Sequence, residues 1–186
     1  TGQYYKAYDT ARQLLHHIEQ CGDEQLLTSA YDICSLAAFQ CAVHIGQHRV
    51  QYLQEGYRCV QAAQAYHQHP DNTLAAAFIM RIGIMLIEIA NIPDQDTMAC
   101  VDAALRNYER ALQAPGLDAA LYVALCQNRA NAYLLRADYY YPQSHDDCRK
   151  AIDICTEGLQ WLPTQHKAQM LATLQNTQSS AYAFYA

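Results

Sequence analysis

Charged residues are scarce in this chain. They make up 16% of its 186 residues, against about 25% in a typical soluble domain. The net charge is −6, and no stretch gathers Lys and Arg into a cluster. Because proteins bind nucleic acid largely by neutralising phosphates with clustered Lys and Arg, we expect no direct nucleic-acid binding by this segment.

The short motifs of common catalytic sites are missing as well. There is no Gly-x-Ser-x-Gly, no glycine-rich phosphate loop and no Cys-x-x-Cys, and the seven Gly stand singly. His44 and His48 have a zinc-compatible spacing, but Gly46 between them indicates a helix break. The His-Asp-Asp-Cys segment at 145–148 is better explained as the acidic first turn of a helix. The sequence therefore predicts no enzyme, no cofactor and no metal site.

Long apolar runs are absent. The best membrane candidate, Phe78 to Ile92, is about fifteen residues long and carries Arg81 and Glu88, whereas a span needs about 20 apolar residues. It is interpreted as a buried core helix, and no membrane association is expected. The chain opens on Thr1-Gly2 without a signal-peptide pattern, which favours a fragment of a longer protein.

Cysteine is plentiful, with eight residues, but its spacing is that of buried helix positions. A free Cys behaves as a small apolar residue, and the cytosol keeps it reduced. The sequence therefore predicts thiols without disulfides and a cytoplasmic location. The Cys positions expected to be buried are Cys34, Cys41, Cys59, Cys126 and Cys155.

Proline marks the joints of the chain. The five prolines, separated by 23, 22, 27 and 21 residues, are Pro70, Pro93, Pro115, Pro142 and Pro163. A proline inside a helix costs about 3 kcal/mol, so this spacing predicts long helices between the prolines. Between them, apolar residues recur at three and four, as in Leu105, Tyr108 and Leu112. The predicted fold is all-α, with eight helices at about 3–20, 24–44, 48–68, 72–91, 96–113, 117–138, 144–161 and 165–185.

The helices also repeat in pairs. Small and large positions return after 47 residues: Gly83, Leu86, Ala104, Tyr108 and Ala111 correspond to Ala130, Tyr133, Ala151, Cys155 and Gly158. Matches upstream and downstream give a period of about 46–49 residues. A small residue lets the neighbouring helix approach, and a large one fills the gap beside it. A stack of helical hairpins needs small and large residues to alternate in this way.

The pattern of 129–133, followed by Ala151, Cys155, Gly158 and Pro163, resembles the tetratricopeptide repeat. Two features depart from the family: about nine extra residues lie within each repeat, and Arg129 stands where the family prefers Leu. The resemblance implies one domain over 1–186, a right-handed superhelical stack (α-solenoid) of antiparallel helix pairs. Similar long-helix repeats occur as sensor regions beside helix-turn-helix, ATPase or caspase-like modules of bacterial regulators.

In this repeat the first helix of each pair lines a concave groove, which gives the expected binding face. The polar residues predicted on it are Arg81, Gln127, Asn128, Asn131, Asn176 and Ser180. Amides can pair with a peptide backbone; alternatively, they bridge neighbouring helices within the stack. A second expected contact is the loop of Tyr139, Tyr140 and Tyr141.

The sequence thus favours a protein- or peptide-binding module that senses a partner and regulates an attached effector domain. The alternative is a small-molecule-sensing or dimerisation segment of a bacterial transcription regulator. The final residues, including Tyr182, Phe184 and Tyr185, are apolar rather than a polar cap. Homodimer formation through such exposed ends of the stack stays open.

Overall fold

A computed structural model describes the backbone of residues 2–67, 72–140, 144–161 and 167–185. All regular structure in these ranges is helical, as the sequence predicts. The helices are α1 (Gly2–Cys21), α2 (Glu24–Ile45), α3 (Arg49–Tyr66), α4 (Asn72–Ala90), α5 (Thr97–Leu112), α6 (Ala119–Tyr139), α7 (Ser144–Gln160) and α8 (Lys167–Tyr185). Each observed boundary lies within about two residues of its predicted position, close to the ordinary uncertainty of helix ends.

Local residues explain where several helices start and stop. Pro93 and Pro115 lie in turns, and the other three prolines fall outside the described residues. Asp96 caps α5 by accepting a hydrogen bond from the Ala99 N–H at 3.0 Å, and Asp118 caps α6 through the Leu121 N–H at 2.7 Å. Gly22 ends α1 with a φ of 68°, a left-handed conformation that glycine adopts without steric cost.

The chain divides into two compact units. Unit 1 comprises Thr1–Asp71 and Asn91–Gln95, and unit 2 comprises Asn72–Ala90 and Asp96–Ala186. Because each element of a repeat array contacts mainly its neighbours, such a division is compatible with a single repeat domain over 1–186. The single domain and its superhelical form stay predictions.

Unit 1 contains the first three helices. α2 packs against both α1 and α3. The Tyr4 ring stacks on His44 at 4.3 Å, and the Tyr31 ring stacks on Tyr66 at 5.7 Å, so α2 is antiparallel to both neighbours. The core between them is built from Tyr8, Ala11, Leu15, Ile18, Leu27, Ala30, Cys34, Ala38, Cys41 and Cys59.

Unit 2 contains the other five helices. α4 packs on α5, α6 on α5 and α7, and α8 on α7. In addition, α6 contacts both α4 and α8, so α4, α6 and α8 lie side by side. The side chain of Arg129 reaches Glu109, and that of Arg136 reaches Asp102, which makes α5 and α6 antiparallel.

The predicted small positions are closely packed. A Cβ built on Gly83 would lie 2.5 Å from Cε1 of Tyr108, and one on Gly158 would lie 3.1 Å from the Cβ of Cys126. Ala130 and Ala111 are fully buried. The repeat alignment therefore places small residues where neighbouring helices approach, as expected.

Two helices contain long apolar segments, whereas the sequence analysis counted a single apolar run of about fifteen residues. Leu26–Ile45 and Thr73–Ala90 are long and apolar enough to cross a membrane, with mean hydropathies of 1.4 and 1.9. The second starts before Phe78, so the fifteen-residue count was too short. Core helices of soluble proteins pass the same test, and 39% and 44% of the two windows are buried within the protein. They are weak indications of a membrane span.

Candidate functional site

The predicted polar face lies on α4, α6 and α8 of unit 2. Arg81 and Gln127 are half-buried, while Asn131, Asn176 and Ser180 are exposed. Because α6 contacts both other helices, the structure brings the helices carrying these side chains together. We refer to the α4, α6 and α8 surface with these five residues as the amide wall.

One amide of the wall bridges two helices. The Thr177 hydroxyl on α8 donates a hydrogen bond to Oδ1 of Asn131 on α6 at 3.1 Å. Thr177 is buried, and its hydroxyl also lies 3.2 Å from the carbonyl oxygen of Thr173. For Asn131 the structure therefore favours the inter-helix bridge that the sequence left as the alternative.

Two further polar side chains bind their own helices. Nδ2 of Asn128 donates to the carbonyl oxygen of Ala124 at 2.8 Å, and Oγ of Ser180 donates to the carbonyl oxygen of Asn176 at 3.0 Å. These local bonds satisfy one donor on each side chain. The side chains of Gln127 and Asn176 are consequently the amides of the wall with the most freedom to bind a partner.

Arg81 occupies a less polar position than its neighbours on the wall. Its guanidinium carbon lies 6.0 Å from the centre of the Phe78 ring, within cation–π range. Burial lowers the pKa of Arg81, although an arginine remains charged at neutral pH. Arg81 therefore contributes a partly desolvated positive charge to the α4 end of the amide wall.

The tyrosine loop is exposed where the structure describes it. The side chains of Tyr139 and Tyr140 are 56% and 42% exposed at the end of α6. The Tyr140 N–H donates to the carbonyl oxygen of Arg136 at 2.9 Å, which closes the last turn. Tyr141 lies outside the described residues. The exposure of these two tyrosines is as the sequence predicts, and their role as a contact patch stays a prediction.

Sequence reasoning missed a charge cluster that joins three helices. Arg136 on α6 donates two hydrogen bonds to the carboxylate of Asp147 on α7, at 2.8 and 2.7 Å, and a third to Asp102 on α5 at 2.7 Å. The side chain of Asp147 is only 1% exposed. The hydrogen bonds to Asp147 raise the pKa of Arg136 above its usual value.

The same cluster surrounds an aromatic ring. The charged groups of Arg136, Lys150 and Arg129 lie 5.1, 5.4 and 5.8 Å from the centre of the Tyr133 ring. From sequence, Asp147 was assigned to an acidic first turn, which it does occupy. Its pairing with Arg136 has no sequence signature, because the two residues meet only when α6 and α7 fold against each other. The cluster joins α6 to both α5 and α7.

A groove opens in unit 1, where no site was predicted. Its volume is about 560 Å³, and helices α1 and α3 form its walls. Leu15, Cys59 and Ala62 supply its apolar lining, and Tyr31 of α2 also lines it. Pockets for small ligands commonly measure about 300–1,000 Å³. The volume of this groove lies within that range.

Charged groups of both signs line this groove. Arg12 of α1 faces Glu55 of α3, with Nε 3.8 Å from Oε1. The Tyr31 hydroxyl donates to Oε1 of Glu19 at 2.7 Å, and this bond raises the pKa of Tyr31. Arg58 lies one turn beyond Glu55 and is exposed.

No protein-family model, curated protein or solved structure matches this chain.

The cysteines are free, as the sequence predicted. All five positions expected to be buried are buried, and so is Cys148, whereas Cys21 is exposed. Burial raises the pKa of the Cys126 thiol to about 11 and that of Cys155 to about 12. Both thiols are therefore protonated and poorly nucleophilic at neutral pH.

The two histidines considered as zinc ligands occupy other structural positions. His44 stacks on Tyr4, and His48 has a φ of 60° just before α3. Among the described residues, no three His, Cys, Asp or Glu side chains are grouped so that they could hold a metal ion. The described residues thus form two candidate binding surfaces, the amide wall of unit 2 and the groove of unit 1.

Proposed function

We propose that this chain is a tetratricopeptide-like module that binds an extended segment of a partner protein along the amide wall. One observation carries the proposal: α6 packs against both α4 and α8. In a peptide-binding repeat stack, the first helices of neighbouring pairs pack against one another in this way. The module acts by binding rather than by catalysis, in the cytoplasm, and regulates an effector domain attached to the same chain.

The chemistry of the wall favours a peptide backbone as the ligand. Gln127 and Asn176 each carry an amide that both donates and accepts hydrogen bonds, which matches the N–H and C=O groups of an extended segment. Their side chains make no hydrogen bond or ion pair with the residues that the structure describes.

The decisive experiment is a selection from a random peptide library displayed on phage, using the whole chain as bait. A selected peptide is then synthesised, and its Kd is measured by fluorescence polarisation. We expect the double variant Gln127→Ala, Asn176→Ala to weaken binding about tenfold or more, because two hydrogen bonds of roughly 0.5–1.5 kcal/mol each are lost. The melting temperature should stay close to that of the wild type.

Gln113→Ala is the matched control. Gln113 is an exposed amide in the turn after α5, away from the wall residues in sequence, and its removal should leave the Kd unchanged. Equal losses in the control and the double variant would contradict the proposal, as would a selected peptide that tolerates both changes.

A further inference from the structure

The groove of unit 1 has an apolar floor between two charged walls. Leu15 and Cys59 are buried at its base, and Ala62 is half-buried beside them. Asp9, Arg12 and Glu19 are on the α1 wall, and Glu55 and Arg58 are on the α3 wall. The groove lies wholly within unit 1, so it is separate in sequence from the amide wall.

The charges are distributed along the length of the groove. Arg12 lies at the level of its ion pair with Glu55, and Arg58 follows one turn further along α3. Glu19 lies at a second level, seven residues beyond Arg12 on α1 and beside Tyr31. At 1.5 Å per residue, seven residues of helix correspond to about 10 Å. A ligand that reaches both levels therefore needs its opposite charges about 10 Å apart.

The charged groups at both levels of the groove can still bind a ligand. Arg58 makes no hydrogen bond or ion pair with any residue in the described part of the chain. The contact between Arg12 and Glu55 is loose at 3.8 Å, and the Arg12 side chain is 60% exposed. At the other level, Glu19 is exposed and accepts one hydrogen bond, from Tyr31, while a carboxylate can accept about four.

From this arrangement we propose that the groove binds a small zwitterion of tripeptide length. The ligand's carboxylate lies at Arg12 and Arg58, and its ammonium group lies at Glu19. The three carboxylates of the groove repel an anion and its two arginines repel a cation, whereas a zwitterion places one charge against each kind of group. An extended tripeptide spans about 10 Å, and its middle side chain packs on Leu15, Cys59 and Ala62.

The test uses the whole chain, labelled with ¹⁵N, and the tripeptide Ala-Leu-Ala with free termini as the probe. We expect chemical-shift changes concentrated at residues of the groove, such as Leu15, Tyr31 and Ala62. The N-acetylated and C-amidated forms of the same tripeptide should bind about tenfold more weakly or worse, because each lacks one terminal charge. Raising the salt concentration should weaken binding of the free form.

Two variants test which residues bind the two ends of the tripeptide. Arg58→Gln and Glu19→Gln should each weaken binding of the free tripeptide about tenfold, and for Glu19→Gln the loss should disappear with the N-acetylated form. Arg106→Gln, an exposed arginine on α5, is the matched control and should bind like the wild type. Melting temperatures measured alongside exclude unfolding as the cause.

Three outcomes would overturn the inference. They are no binding at about 10 mM probe, equal binding of the free and blocked tripeptides, and shift changes confined to unit 2. The last outcome would point to the amide wall and would leave the proposed partner-binding function untouched. Conversely, binding in the groove with an inert amide wall would remove the proposed function and keep this site.

Discussion

The ring of Tyr108 lies against the backbone of Gly83, so that a Cβ at Gly83 would come within 2.5 Å of Cε1. Tyr108 is buried, and burial raises the pKa of its hydroxyl. The contact joins α4 to α5 at the point where the repeat pattern puts a small residue opposite a large one. Close packing at this pair thus depends on the absence of a side chain.

Replacing Gly83 with Ala should therefore destabilise the protein even though Ala favours helices. The helix gains up to about 1 kcal/mol from the change, but overpacking a core typically costs about 1–3 kcal/mol. Urea unfolding should show a net loss of free energy of unfolding. Gly2→Ala is the control, because a Cβ there meets no atom within 4 Å. If Gly83→Ala were more stable than the wild type, the close contact would be wrong.

Removing the charge of Asp147 should cost far more than removing a surface charge. Asp147→Asn leaves Arg136 half-buried with one carboxylate partner, Asp102, and breaking a buried pair of this kind costs about 3–5 kcal/mol. Asp146→Asn is a matched neighbour, since Asp146 is exposed and pairs with Arg149 across one helical turn; it should change stability by less than about 1 kcal/mol. Thermal unfolding of the two variants checks this difference, and similar losses for both would contradict it.

The bridge between Asn131 and Thr177 predicts different effects for two exposed amides. Asn131→Ala leaves the buried Thr177 hydroxyl without its partner on α6, so unfolding free energy should fall by about 0.5–1.5 kcal/mol. Asn176→Ala removes an exposed side chain and should leave stability within about 0.5 kcal/mol. A double-mutant cycle of Asn131→Ala with Thr177→Val should show coupling. Additive effects would mean that the hydrogen bond contributes nothing to stability.

Alkaline pH should destabilise unit 2 through its buried thiols. The pKa of Cys126 is raised by burial to about 11 in the folded protein, against an ordinary value of 9.0. The unfolded chain therefore loses this proton first, so the stabilisation is complete below pH 9 and is lost as the pH rises towards 11. Urea unfolding from pH 8 to 11 should show a decline that is shallower in Cys126→Ala. An identical slope in this variant would show that the thiol does not contribute.

Much of the helix layout follows from residues that act locally. Pro93 and Pro115 cannot continue a helix, and Asp96 accepts the hydrogen bond that starts α5. The small position at Gly83 was also recognisable, because it recurs at Ala130 one period later. Proline sterics, capping and a fixed repeat are encoded within short stretches of chain, so they are legible without knowledge of the packing.

The site was less predictable than the helices. The amide wall could be placed because helical periodicity assigns residues to faces, yet the role of Asn131 depended on Thr177, 46 residues later in the chain. The groove of unit 1 gave no signal in the sequence, since Glu19, Arg12 and Arg58 look like ordinary solvent-facing charges on separate helices. Only the tertiary structure brings them together around a shared cavity.

The all-α class, the helix ends and the positions of the small residues can be read from the amino-acid sequence. The pairing of Arg136 with Asp102 and Asp147, and of Arg12 with Glu55, follows only from the way the helices pack. The difference lies in the range of the interactions. Backbone sterics and capping act over a few neighbouring residues, whereas ion pairs and cavities depend on how distant helices approach one another.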